Sequence, residues 1–124
     1  MAKVIQEISV EVAKPNYFPP IIAKQCDCDS RFLKVKLMDG GKQIFVTSNS
    51  TSYINVLRQD GKRYTYEGEK PNDDGTVTVP LTSEALEECG DAYCDITIIR
   101  GDEKLTSAAF HVDVRKTMNV LQGG

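Results

Sequence analysis

The chain is expected to fold as an all-β, antiparallel two-sheet β-sandwich (Ig-like) of about eight strands, with one short helix near residues 83–89. Three observations predict this. Apolar and polar residues alternate with period two in short runs: Leu33, Val35 and Leu37 around Lys34 and Lys36, then Ile54 and Val56 around Asn55, then Phe110, Val112 and Val114 around His111 and Asp113. The runs are punctuated by Asp39-Gly40, Asp60-Gly61, Asp74-Gly75 and Gly101-Asp102, and this combination marks strands that bury one face and wet the other. Finally, 124 residues, 40% hydrophobic and 27% charged, suffice for one ordinary core.

Ile8, Val10 and Val12 alternate with Ser9 and Glu11, so residues 3–12 read as the first strand. Residues 14–20 hold Pro15, Pro19 and Pro20, which remove ladder donors and make a loop. Residues 21–28 read as a second strand that runs into the turn-like Asp27 to Ser30. Residues 31–38 are the clearest strand, and 42–47 return as its partner. Residues 52–59 and 62–67 form a hairpin over Asp60-Gly61, where a two-residue turn favours type I′. A polar loop follows from Glu67 to Asp74, then a strand over 76–81 whose Pro80 marks a sheet edge or strand end. The period then changes. Thr82 or Ser83 can cap a helix, acids fill its first turns and Gly90 can stop it, with Ala85 and Leu86 packed over one end of the sandwich. Residues 92–100 and 104–115 are the last strand pair, with Phe110, Val112 and Val114 inward and His111, Asp113 and Arg115 outward. The domain is expected to span 1–116, with a C-terminal tail over 117–124 that has no evident partner.

A formal net charge of −3 argues against a general nucleic-acid binder, which needs a basic stripe. No apolar run reaches the roughly 18–20 residues of a membrane helix, and the N-terminus carries no secretory signal, so synthesis in a cytoplasm is expected.

Residues that could carry chemistry are few. Cys26 and Cys28 would share one strand face, and Cys94 falls in phase with Ile96 and Ile98; with Cys89 they leave buried thiols, a disulfide or a zinc site open. Neither cysteine spacing is the C-x2-C knuckle of an all-cysteine zinc site. His111 is the one histidine, on an outward phase, and Cys94 in the facing strand points inward, so the pair does not form a nucleophile–base couple. Asp27 and Asp29 supply too few oxygens for calcium, Asp73-Asp74-Gly75 reads as turn chemistry, and Arg100-Gly101-Asp102 reads as a hairpin tip. The expectation is a non-enzyme with no catalytic, cofactor or metal residues. Four aromatics are candidate partner contacts: Tyr17 and Phe18 in the proline-rich loop, and Tyr64 and Tyr66 on one strand face; the alternative is that the first two plug the sandwich end and the second two pack across strands.

The ordered features resemble a known family. Asp29-x-Arg31-Phe32-Leu33-Lys34-Val35-x-Leu37, Asp39-Gly40, Asn55-Val56-x-Arg58-x-Asp60-Gly61, Val77-Thr78-Val79-x-Leu81, Gly90, Cys94-Asp95-Ile96-x-Ile98 and Leu105-Thr106-Ser107-x-x-Phe110-x-Val112-x-Val114 look like the N-terminal domain of phage baseplate upper proteins, over roughly residues 5–115. The resemblance implies a virion structural protein of a siphophage or prophage tail baseplate, an adaptor that docks on the distal tail hub and links it to receptor-binding proteins. It implies other tail proteins as partners, neither nucleic acid nor membrane, and a trimer if a helical stem follows the tail. The alternative is an Ig-like carbohydrate- or cell-surface-binding module.

Overall fold

The computed structural model describes residues 4–12, 21–24, 31–107 and 109–115. Ten strands lie in these residues: β1 (Val4–Glu11), β2 (Ile21–Lys24), β3 (Arg31–Asp39), β4 (Lys42–Ile44), β5 (Thr51–Leu57), β6 (Arg63–Glu67), β7 (Val77–Leu81), β8 (Gly90–Arg100), β9 (Glu103–Thr106) and β10 (Phe110–Arg115). They form a four-stranded sheet in which β3 pairs with β1, β4 and β7, and a six-stranded sheet ordered β2-β10-β8-β5-β6 with β9 also on β8. The all-β two-sheet sandwich is therefore observed.

The core is the inward phase of both sheets. Leu33, Val35 and Leu37 of β3 and Val77, Val79 and Leu81 of β7 are at most 1% exposed, and they face Ile54, Val56, Ile96, Phe110 and Val112 of the other sheet, none more than 3% exposed. A fully buried side chain of this size contributes about 1.5–3 kcal/mol, so a one-residue slip that turned such a set outward is strongly disfavoured.

Three expectations need correction. The sheets are mixed, not purely antiparallel: β1 runs parallel to β3 and β2 parallel to β10. Alternation within a strand reports which face is buried, not which neighbour it takes, and these two pairings join strands distant in sequence. Second, residues 83–89 form a turn, not a helix. Ala85 N–H donates to Thr82 Oγ1 at 3.1 Å, as a capping residue would arrange, but a single Leu86 N–H to Thr82 carbonyl bond at 3.1 Å follows. The Glu84 carbonyl that would extend a helix instead accepts Arg58 Nη1 at 2.9 Å, and Gly90 already lies in β8. One turn cannot repay the cost of helix nucleation. Ala85 and Leu86 are nonetheless buried, each 1% exposed. Third, the β5–β6 turn is longer than two residues. Arg58 N–H donates to the Lys62 carbonyl at 2.9 Å and Gly61 N–H to the Arg58 carbonyl at 3.0 Å, with Gly61 at φ +88°. This is a three-residue loop ending in a left-handed glycine.

The final hairpin contains a β-bulge. β9 pairs with β8 up to Thr97 opposite Thr106, and β10 resumes with Cys94 opposite Phe110, so two residues of β8 are matched by three on the returning chain. Ser107 holds the bulge: its N–H donates to the Ile96 carbonyl at 2.8 Å and its Oγ accepts Ile96 N–H at 3.0 Å. The extra residue moves the buried phase from Leu105 and Ser107 to Phe110, Val112 and Val114.

Candidate docking surfaces

Tyr64 and Tyr66 lie on β6, opposite Val56 and Ile54. Those partners are core residues, so both tyrosines lie on the inner face, at the rim of the sandwich. Their rings stack at 6.1 Å with 12° between planes. Tyr66 packs against the core, its hydroxyl donates to Glu84 Oε1 at 2.7 Å, and burial pushes its phenol up to about 12. Tyr17 and Phe18 lie outside the described residues.

Beside Tyr64 sits a residue that the sequence reading left aside. Arg58 is 3% exposed, with its guanidinium 5.2 Å from the Tyr64 ring centroid. It pairs with Asp60 through Nε at 3.0 Å and through Nη2, and it reaches the Glu84 carbonyl and, at 3.4 Å, Glu87 Oε1. Its hydrogen bond to Asp60 holds that carboxyl down at about 2. Arg58 thus ties the β5–β6 turn to the turn over 83–89 and to Tyr64. The signal was present in the alternation: position 58 continues the inward phase of Ile54 and Val56, and a charge in a buried phase requires partners.

The outer face of the six-stranded sheet carries one continuous cross-strand row, His111–Tyr93–Leu57–Arg63. Tyr93 is 46% exposed and meets His111 edge-on at 4.4 Å. The adjacent row is a polar lattice. Asn55 Nδ2 donates to Asp95 Oδ1 at 2.6 Å and Thr97 Oγ1 at 2.9 Å, and Asn55 Oδ1 accepts Thr65 Oγ1 at 2.9 Å. The structure does not bring His111 to Cys94, which faces the core at 2% exposed and whose thiol is raised by burial to about 12. Cys89 and Cys94 are free thiols, while Cys26, Cys28, Asp27 and Asp29 lie outside the described residues. Among the described residues no group of three or more His, Cys, Asp or Glu side chains could hold a metal ion.

A third surface lies at one end of the sandwich. Phe45, 58% exposed, stands beside a cavity of about 370 Å³ lined by Ile44, Val46, Ile98 and Leu105, with Arg100 and Lys104 on its rim. The ring lies over Gly75, where an added Cβ would be 2.4 Å from Phe45 Cδ2. Two tripeptides resolve as turn chemistry. Asp74 Oδ1 accepts both Thr76 N–H at 3.1 Å and Thr76 Oγ1 at 2.6 Å, and Arg100 pairs with Glu103 at 2.7 Å across the Gly101-Asp102 tip.

No family model matches the chain, and no curated protein matches it in sequence. Among solved structures it is similar to the N-terminal domain of phage TP901-1 ORF48, with a TM-score of 0.71 and 14% identity, over 90% of this chain and 98% of that one. The two share a fold.

Proposed function

We propose that the chain is a structural component of a phage or prophage tail baseplate, an adaptor domain that docks on the distal tail hub and links it to receptor-binding proteins. The observation that carries the reading is the match in fold to essentially the whole of a phage N-terminal domain. The spacing of Arg31 to Leu37, Asn55 to Gly61 and Cys94 to Val114, which resembles baseplate upper proteins, supports it independently. The mechanism is docking without turnover. A rigid two-layer body presents fixed surfaces, and its exposed Phe45, flanked by Arg100 and Lys104, is the kind of apolar anchor with a charged rim that concentrates binding energy. In this reading the domain covers residues 1–116, the chain is made in the host cytoplasm and it resides in the virion.

The test is direct. Purified tails should contain the chain, and negative-stain images with a labelled antibody should place it at the tail tip; tails that lack it would overturn the reading. Co-expression with the distal tail protein of the same phage should yield a complex that Phe45→Asp weakens. The second reading, a carbohydrate- or cell-surface-binding module, draws on Tyr93 beside the fixed Asn55–Asp95–Thr97 lattice. Binding of the isolated chain to a glycan array would favour it.

A further inference from the structure

We propose that the chain self-associates through β6, by antiparallel pairing of two copies about a two-fold axis at Thr65. β6 ends the six-stranded sheet, paired with β5 on one side and with no strand on the other among the described residues. The direction of its hydrogen bonds follows from the two that flank it. Arg58 N–H binds the Lys62 carbonyl at 2.9 Å, and Gly68 N–H binds the Ser52 carbonyl at 2.7 Å. Inward bonding in an antiparallel ladder alternates, so Tyr64 and Tyr66 also turn their backbone groups to β5. Arg63, Thr65 and Glu67 therefore direct their N–H and C=O groups to the open side.

The sequence of this edge is complementary to itself. Arg63-Tyr64-Thr65-Tyr66-Glu67, laid antiparallel on a second copy and centred on Thr65, sets Arg63 opposite Glu67 of the second copy at both ends. It sets Tyr64 opposite Tyr66 of the second copy on the inner face, and Thr65 opposite Thr65. Charge pairs, aromatic pairs and threonine pairs are the combinations that stabilise directly opposed positions. Neither Arg63 nor Glu67 has an ion-pair partner in the described structure, and both are exposed.

Register and direction are both selected. Only even offsets bring open-side groups face to face. The centred register aligns three such pairs, whereas a shift of two residues aligns fewer and leaves Arg63 opposite Thr65. Parallel pairing would bring like charges together. An exposed edge ending in charges rejects most strands and accepts its own complement. The joint is small and in the weak class of interfaces, so it forms at high concentration, with dissociation expected at about 0.1–1 mM. This inference does not depend on the baseplate reading.

The experiment is sedimentation velocity on the full chain, from about 10 µM to about 1 mM at low salt, where exposed charges are least screened. The wild type should move from monomer to dimer. Arg63→Glu and Glu67→Arg should each weaken association at least tenfold, because each sets like charges opposite one another. An equimolar mixture of the two variants should dimerise again, and so should a chain carrying both changes. Circular dichroism and thermal unfolding should match the wild type, since both side chains are exposed. A wild type that stays monomeric throughout, single variants that associate as well as the wild type, or a mixture that fails to recover would each overturn the proposal.

Discussion

Two buried serines should respond in opposite directions to the same substitution. Ser52 on β5 is 1% exposed, and its Oγ has no hydrogen-bond partner in the described structure. Ser107 at the bulge is 7% exposed, and its Oγ accepts the Ile96 N–H at 3.0 Å. A buried hydroxyl without a partner costs about 1–3 kcal/mol relative to its hydration in the unfolded chain. Ser52→Ala removes that cost and leaves a gap of one oxygen atom, worth up to about 1 kcal/mol in lost packing. The net expectation is a gain of about 1 kcal/mol. Ser107→Ala strands a backbone N–H in the core and should lose about 1–3 kcal/mol. At about 3–5 °C per kcal/mol for a chain of this size, the two variants should melt about 10 °C apart, on either side of the wild type. Differential scanning calorimetry measures the separation, and urea titrations with equal m values establish that the native state is what changed. If Ser52→Ala loses 1 kcal/mol or more, its hydroxyl is satisfied and the reasoning fails. If both variants fall equally, the cavity dominates and hydrogen bonding does not decide the sign.

The same neighbourhood predicts that Gly68→Ala will be destabilising by about 1–3 kcal/mol. Its Cβ would lie 2.3 Å from Ser52 Oγ and 2.8 Å from the Thr78 carbonyl. In the Ser52→Ala background the cost should shrink without vanishing, because the Thr78 carbonyl remains; strictly additive denaturation midpoints would contradict this. Acid unfolding should draw on Asp60 and Asp74, both held down at about 2 from 3.8, Asp60 chiefly by its bond to Arg58 and Asp74 chiefly by its bond to Thr76. A depressed acid stabilises the fold above its unfolded value, so this stability is present above about pH 4 and is lost as pH falls toward about 2. Asp60→Asn should flatten that limb of a stability–pH curve and leave the slope near neutrality unchanged. Cys94, buried and raised to about 12, should resist a thiol reagent until the chain unfolds, while Cys89, at intermediate exposure, should label first; peptide mapping by mass spectrometry gives the order.

Most strands were legible because each buries one face. The alternation of Leu33 to Leu37, Ile54 to Val56 and Phe110 to Val114 survives unchanged as burial, and Pro80 does sit on β7, which pairs with β3 alone. What alternation omits is the neighbour. Nothing in Ile8-Ser9-Val10 states that it will lie parallel to Val35-Lys36-Leu37, since the choice is made by the core of the whole sheet. The segment over 83–89 carries good helix caps and acids, but only eight residues separate Leu81 from Gly90, and both ends are already committed to strands. The bulge was visible only as an unexplained change of phase between Leu105 and Phe110. As for the candidate site, Tyr64 and Tyr66 were rightly placed on one face. Which face depends on their register against Val56 and Ile54, and that is a tertiary fact.

The edges of the two sheets decide where such a body can be joined to another. β7 is closed as a template: Pro80 has no N–H to offer, and the Thr78 carbonyl already accepts Glu69 N–H at 2.8 Å. β4 has three residues, too few to hold a register. β6 has five, ends in opposite charges, and keeps alternate backbone groups free on its outer side. Attachment through β6 is therefore specific in both direction and register, whereas the Phe45 end offers an apolar anchor without a ladder. A domain with one surface of each kind can join a like copy at its edge and an unlike partner at its end without competition, because Phe45 follows β4 in the opposite sheet. Phe45→Asp and Arg63→Glu should accordingly act independently, the first weakening attachment to a tail partner and the second weakening self-association. A variant at either position that disturbed both would show that the two surfaces are one.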